Sequence, residues 1–251
     1  MNIMIKVENL CKSFGSTKVH NGINLEIKKG AITYIIGPSG TGKSVLLKQL
    51  MGLIKPDSGK IYIDDFDITT ANKKQLLKVR YKFGMLFQNA ALFDSFTIFD
   101  NVAFPLREHR KLSDDELQEI VTEKLKLVGL SGVNHKYPSE LSGGMRKRVG
   151  LARAIALSPD IMMYDEPTTG LDPIMTDIVD DLIYNTQKEL NITSVVISHD
   201  IPSVLKNADY IGMLYNGRII QYGTPEYFKT TDNPYVRQFF SGSKDGPIKV
   251  Y

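Results

Sequence analysis

The segment Gly37-Pro38-Ser39-Gly40-Thr41-Gly42-Lys43-Ser44 spaces glycine, glycine, lysine and serine as a phosphate-cradling loop does. Small residues let successive backbone N–H groups turn inward around phosphate oxygens, and a following helix start adds the positive end of its dipole. Lys43 supplies a charge for the β- and γ-phosphates, and Ser44 supplies a hydroxyl ligand for magnesium. With glycine near 7% of average sequence, these four fixed positions arise by chance in roughly one chain of this length per hundred. The expected ligands are ATP and Mg2+.

A second group of residues could complete the chemistry. Ile161-Met162-Met163-Tyr164 is a short apolar run that ends in Asp165-Glu166. At the carboxyl edge of a buried strand, where α/β folds bind ligands, the chain can turn and present both acids. Asp165 would then hold magnesium, and Glu166 would orient and deprotonate the attacking water. Further on the amino-terminal side, Leu141-Ser142-Gly143-Gly144-Met145 opens a helix. Ser142, Gly143 and Gly144 therefore make a second anion site by the dipole argument, with a serine-capped helix start as the plainer alternative. One nucleotide needs no second phosphate site unless each belongs to a different copy of the chain.

These residues require particular elements around them. Residues 31–36 form a nearly continuous apolar run, the pattern of a strand buried on both faces. Val45, Leu46, Leu47 and Leu50 then fall at helical spacing until Gly52 closes the helix. Residues 3–10 and the alternating residues 23–27 read as strands, and residues 194–197 as another buried one. Pro173 opens a helix over 174–190, which makes a parallel strand-helix-strand unit with the run at 161–164. Residues 209–215 and 218–222 flank Asn216-Gly217 as a hairpin. From 97 to 158 the signals are mainly helical, over 114–128 behind a Ser113/Glu116 capping box and over 143–157. A helical insert thus interrupts an α/β core. The tail from Ser241, with Gly242, Gly246 and Pro247, is expected to be loosely held.

The order of phosphate loop, Gln88, Leu141-Ser142-Gly143-Gly144, Asp165-Glu166, Gly170-Leu171-Asp172 and His199 resembles the nucleotide-binding subunit of ABC transporters, over about residues 3–230. The resemblance implies an α/β P-loop NTPase (RecA-like) core with an N-terminal antiparallel β subdomain and an inserted α-helical subdomain. The nucleotide-binding domain would span 1–240, its helical subdomain about 90–158, and the tail 241–251. It also implies a head-to-tail dimer, each ATP clasped between one copy's phosphate loop and the other copy's Ser142 segment. By this resemblance Gln88 contacts magnesium and the attacking water, His199 touches the γ-phosphate, and Asp172 lies at the dimer interface. Phe14 stands where most members carry a tyrosine that stacks on adenine; core packing before a Gly15 turn is the alternative.

Two further stretches narrow the resemblance. Residues 85–106, with Leu92-Phe93-Asp94-Ser95 followed by Asn101-Val102-Ala103-Phe104-Pro105-Leu106, and Met145 in place of the common glutamine are similar to Mla/Mce-type lipid-transport ATPases. The tail 233–242 is similar too; it either reaches across the dimer or forms a short helix on its own subunit. The aromatics near Gln88 either make a docking groove for a partner's helix or pack the insert. This resemblance implies ATP-driven phospholipid movement between bacterial membranes, on the cytoplasmic face of the inner membrane as a peripheral subunit. The implied partners are a second copy, membrane permease subunits and an Mce-domain substrate-binding protein. The ATPase of an amino-acid or other small-solute importer is the alternative. A soluble ATPase acting on ribosomes or DNA fits less well, because the chain has one motif set and no sustained heptads.

Composition agrees. Thirty-one Lys and Arg against 28 Asp and Glu leave a net charge of +3, spread along the chain, too mild to point to nucleic acid. The one cysteine, Cys11, excludes an internal disulfide framework and fits a reducing compartment. No leader pattern is read at the start, and no apolar run approaches the roughly 18 residues that span a bilayer. The chain is expected to be soluble and to reach a membrane only through a partner.

Overall fold

The computed structural model describes residues 2–249. Its first half runs β1 (Ile3–Phe14), β2 (Thr17–Lys28), β3 (Ile32–Ile36), α1 (Lys43–Leu50), β4 (Ser58–Ile63), β5 (Phe66–Asp67), α2 (Lys73–Arg80), β6 (Phe83–Leu86), α3 (Ile98–His109) and α4 (Asp114–Leu127). It continues with α5 (Gly143–Ala154), β7 (Ile161–Asp165), α6 (Pro173–Leu190), β8 (Thr193–Ile197), α7 (Ile201–Asn207), β9 (Tyr210–Tyr215), β10 (Arg218–Gly223), α8 (Pro225–Thr230) and α9 (Pro234–Ser241). The chain forms two compact units, one made of the residues up to Arg80 and from Val195 onward, the other Tyr81–Ser194.

In the first unit, β2-β1-β4-β5 form an antiparallel sheet. β1 and β2 pair along twelve residues each, well beyond the stretches 3–10 and 23–27 that the apolar pattern marks. Register shifts, one beside Asn9 at φ 47, break the alternation on which that pattern depends, so the strand ends hold by backbone pairing without showing period two. β3 is buried at every residue and pairs in parallel with β9, as its apolar run predicts. The β9–β10 hairpin turns at Asn216 (φ 46) and Gly217 (φ 71), both left-handed as a two-residue turn requires. α1 buries Leu46, Leu47 and Leu50, and Gly52 ends it at φ 64. α2, with sequence KKQLLKVR, buries only Val79, so it has no apolar stripe for sequence reading to find.

The tail differs from expectation. Asn233 caps α9, and the buried Gln238 amide donates to the carbonyls of Ser243 (3.2 Å) and Ile248 (3.1 Å). Its Oε1 accepts from the Ile248 N–H at 2.6 Å, and Ile248 is itself buried. The segment is therefore fastened onto α9, because one buried amide satisfies the backbone of an otherwise Gly- and Pro-rich stretch. Of the expected spans, Met1 of the domain and residues 250–251 of the tail lie outside the described residues.

In the second unit, β6 and β7 pair in parallel from Phe83↔Ile161 to Leu86↔Tyr164. The insert's helices α3, α4 and α5 belong here, together with α6. The Ser113 capping box on α4 forms as predicted. α5 stops at Ala154, short of the expected 157: Ile155 leaves helical geometry at ψ 0, and Ser158 takes φ 54 ahead of Pro159. A helix cannot run on through Pro159, which lacks an N–H to donate and whose ring crowds the carbonyl of Ile155, so the chain leaves α5 ahead of it. β8, buried throughout, begins at Thr193 in this unit and ends in the first. Among the described residues no helix is long and apolar enough to cross a membrane.

Candidate functional site

The predicted site residues divide between the units: Phe14, residues 37–44 and His199 in the first, Gln88, Ser142, Gly143, Gly144, Asp165, Glu166 and Asp172 in the second. In the first, β3 delivers the chain to Gly37, whose φ of 142 and close approach to β9 admit no side chain. A Cβ there would lie 2.2 Å from the Leu214 carbonyl oxygen. Gly42, at φ 95, is the residue before α1 and gives that helix no side-chain cap. The first-turn N–H groups of a helix have no intrahelical acceptor, so the loop keeps donors for an anion. Lys43 is buried and folds back, donating to the carbonyls of Gly37 (2.7 Å) and Pro38 (2.9 Å). The Thr41 hydroxyl donates to Pro38 O at 2.8 Å.

Beneath the loop lies a residue the motif does not include. His20 of β2 is fully buried, its Nε2 3.1 Å from Gly42 O and its Nδ1 2.6 Å from the Gln49 side chain on α1. Burial pushes its pKa down and favours the neutral ring, which has one N–H for two oxygen neighbours, Gly42 O and Gln49 Oε1. Phe14, the last residue of β1, is 48% exposed, with the Lys12 ammonium 5.3 Å from its ring centre. That exposure overturns the core-packing alternative. His199 is exposed between β8 and α7, next to Asp200, whose carboxylate caps α7 by accepting from Ser203 N at 3.1 Å.

In the second unit, Asp165 is the last residue of β7, and Glu166 turns left-handed at φ 51. This is the turn by which two adjacent acids can leave one strand end. The Thr169 hydroxyl donates to Glu166 Oε2 at 2.7 Å. From α5, the buried Lys147 ammonium donates to the carbonyls of Pro167 (2.6 Å) and Thr169 (2.7 Å), and burial lowers its pKa. Gln88 is exposed just past β6. Next to it Ala90 (φ 58) and Ala91 (φ 51) are both left-handed, an unusual state for alanine, and their carbonyls accept from Arg153 at 2.8 Å each. Ser142 caps α5, its Oγ accepting from Met145 N at 3.3 Å, so the plainer role is realised; a hydroxyl that accepts can still donate. Gly144 packs where a Cβ would meet Met175 Cε at 1.9 Å. Asp172 caps α6, accepting from Ile174 and Met175 N at 3.0 Å. Phe93, Phe96 and Phe104 cluster with ring centres 5.0–6.1 Å apart, and Phe87, Phe93 and Phe104 are exposed while Ile98, Val102 and Leu106 fill the insert's core.

Residues 20–169 match the family model described as ABC transporter. The chain belongs to the ABC transporter family. An ATP-binding cassette of this family is an ATPase, and the fold and motif order here are those of such a cassette. It is 46% identical over 246 residues to the intermembrane phospholipid transport system ATP-binding protein MlaF of Haemophilus influenzae, covering 98% of this chain and 93% of that one. It is 46% identical over 248 residues to the probable ribonucleotide transport ATP-binding protein mkl of Mycobacterium leprae, covering 99% of this chain and 72% of that one. Among solved structures, the dimeric post-hydrolysis state of the ATP-binding cassette MJ0796, bound to ADP and Pi, superposes with a TM-score of 0.80 at 32% identity, covering 88% of this chain and 99% of that one.

Relative to the family motifs, sequence reading missed Thr169, Lys147, Arg153 and His20. Lys147 and Arg153 stand in a helix rich in basic residues, where position alone does not separate the buried ones from the solvated. Only Thr169 had a local signal, a hydroxyl three residues after an acid at a turn.

Proposed function

We propose that this chain is the ATP-hydrolysing subunit of a transporter that moves phospholipid, working as a head-to-tail pair on membrane permease subunits at the cytoplasmic face of a bacterial inner membrane. The observation that carries the hydrolytic reading is the left-handed turn at Glu166, with Thr169 fixing its carboxylate. In this reading the loop N–H groups and Lys43 hold the phosphates, Lys43 exchanging its bonds to Gly37 and Pro38 for phosphate oxygens. Phe14 stacks on the adenine, His199 meets the γ-phosphate, and Glu166 takes a proton from the attacking water while Gln88 orients it. Ser142, Gly143 and Gly144 close on the nucleotide of the other copy, beside Asp172.

The donor set suits magnesium. Ser44, Asp165 and Gln88 offer hard oxygen atoms, and Mg2+ characteristically takes few protein ligands and completes its shell with phosphates and water. Bound there, it would neutralise charge on the transferring phosphoryl group.

The phospholipid reading is supported by the 46% identity to MlaF along nearly the whole of both chains. The exposed phenylalanines beside Gln88 support a docking face for a permease helix, and an Mce-domain protein would be the substrate-binding partner. The equal identity to a relative named for ribonucleotide transport favours a small-solute transporter as the second reading. Purifying the complex from native membranes and analysing its lipids by mass spectrometry separates them: a permease carrying phospholipid is expected, and a soluble-solute receptor in its place overturns the lipid reading. Glu166→Gln tests the hydrolytic one, with ATP binding retained and steady-state turnover lost.

A further inference from the structure

Lys147 is a buried cation, 7% exposed, on the helix that Ser142 heads. Two backbone carbonyls of the acid turn, Pro167 and Thr169, accept from its ammonium at 2.6 and 2.7 Å. Thr169 in turn holds the Glu166 carboxylate through its hydroxyl at 2.7 Å and closes the turn by donating its N–H to Glu166 O at 3.3 Å. Taking a charge out of water gains little stability over an apolar residue of the same volume, so net stability is a poor account of a lysine here. Its geometry gives a better one. An ammonium that clamps carbonyls two residues apart limits the freedom of the turn between α5 and the carboxylate.

We propose that Lys147 is a positioning residue for hydrolysis: it fixes the Pro167–Thr169 turn so that Thr169 holds Glu166 in its working orientation. The chain of contacts runs Lys147, turn carbonyls, Thr169 hydroxyl, Glu166. The inference rests on Glu166 acting as the base, as proposed above. A misplaced base slows the chemical step and leaves nucleotide affinity alone, because neither Lys147 nor Thr169 belongs to the phosphate loop.

The test measures ATP turnover against ATP concentration in the assembled transporter. Lys147→Met should lower kcat on the order of ten- to a hundred-fold with KM within about two-fold of the parent, a cost typical of misplaced catalytic groups. Lys147→Arg, which can still bond two carbonyls, should recover most of the rate. Thr169→Val should lower kcat similarly, and the double variant should be no slower than the slower single, since both act through one contact chain. An unchanged kcat, a raised KM at full kcat, or losses that multiply in the double variant would overturn the assignment. If Lys147→Met does not fold, Thr169→Val and Lys147→Arg decide it alone: parental kcat in the first, or a kcat lowered about ten-fold or more in the second, counts against the proposal. Glu166→Gln runs in parallel. If it keeps its turnover, the base assignment itself fails; if it is inactive while Lys147→Met is unimpaired, only the Lys147 inference falls.

Discussion

On the proposed reading the phosphate loop and the acid turn perform halves of one chemistry, and they are built by opposite means. The loop is held mostly within its own eight residues, Lys43 and Thr41 bonding to carbonyls of Gly37 and Pro38 with His20 reaching Gly42 O from β2, and most of its donors are backbone. The acid turn depends on a left-handed glutamate, a hydroxyl three residues on and a lysine twenty residues away in sequence. Phosphate recognition by backbone requires special φ values, which write glycines into the sequence at set spacing. Proton transfer by a side chain requires orientation, which distant contacts supply and local sequence hardly records.

The largest expected effect sharpens that contrast. Glu166→Gln keeps the shape of the turn and removes only the proposed base. Turnover should fall on the order of 10²- to 10⁴-fold, with the thermal midpoint and nucleotide affinity close to the parent's. Steady-state ATPase assays, a melting curve and a nucleotide titration read all three. Gly37→Ala should do the reverse. Its Cβ would meet Leu214 O at 2.2 Å from a φ that alanine rarely adopts, so the loop or β9 must shift. A stability loss of about 3 kcal/mol follows, seen in denaturant titration, together with lost nucleotide binding. A Gly37→Ala protein with normal stability would show that the loop is less rigid than its backbone geometry implies.

How much was legible follows the same division. The buried runs of β3, β7 and β8, the Asn216-Gly217 hairpin and the α4 capping box were readable because each has a local cause: burial on both faces, a left-handed turn, a reciprocal cap. α2 was not, since a helix that buries one residue carries no period. The end of β1 and the first half of β2, which pair with each other, were hidden by bulges. At the site, the loop glycines and the paired acids were visible. Lys147 and Arg153 were not, because their function is to bond carbonyls of distant turns and a basic helix looks solvated until those turns are placed on it. The tail failed differently: Gly and Pro suggested looseness, and the single buried amide of Gln238 reversed it.

Phe14 offers a smaller test on the loop's side of the comparison, because there a side chain is proposed to bind. Half exposed and outside the core, it should be removable without cost to folding. Phe14→Ala should raise the KM for ATP roughly ten-fold, from the loss of about 1–2 kcal/mol of stacking on the base, while kcat and thermal stability stay near the parent's. Phe14→Tyr should restore the KM. A destabilised Phe14→Ala with unchanged KM would return the residue to a structural role.

The smallest expected effect lies beneath the loop, where His20 makes local backbone geometry depend on a titratable ring. Burial depresses the folded-state pKa of His20 below its ordinary value near 6.5. Below that value the unfolded chain binds a proton that the folded chain resists, so folding stability is full above about pH 6.5 and declines as pH falls through the folded-state pKa. The contribution of one such group is at most about 1.4 kcal/mol per pH unit. Carboxylates titrate in the same direction lower down, so the informative quantity is the difference between the parent and His20→Gln. Glutamine keeps an amide donor for Gly42 O and has no proton to gain. Denaturant titrations from pH 7.5 to 5.5 should show the parent losing more stability than the variant, by up to about 1 kcal/mol at the acid end, with ATP affinity weakening in parallel because Gly42 precedes Lys43. Parallel stability curves would mean that His20 is a packing residue and that the loop needs no support from β2.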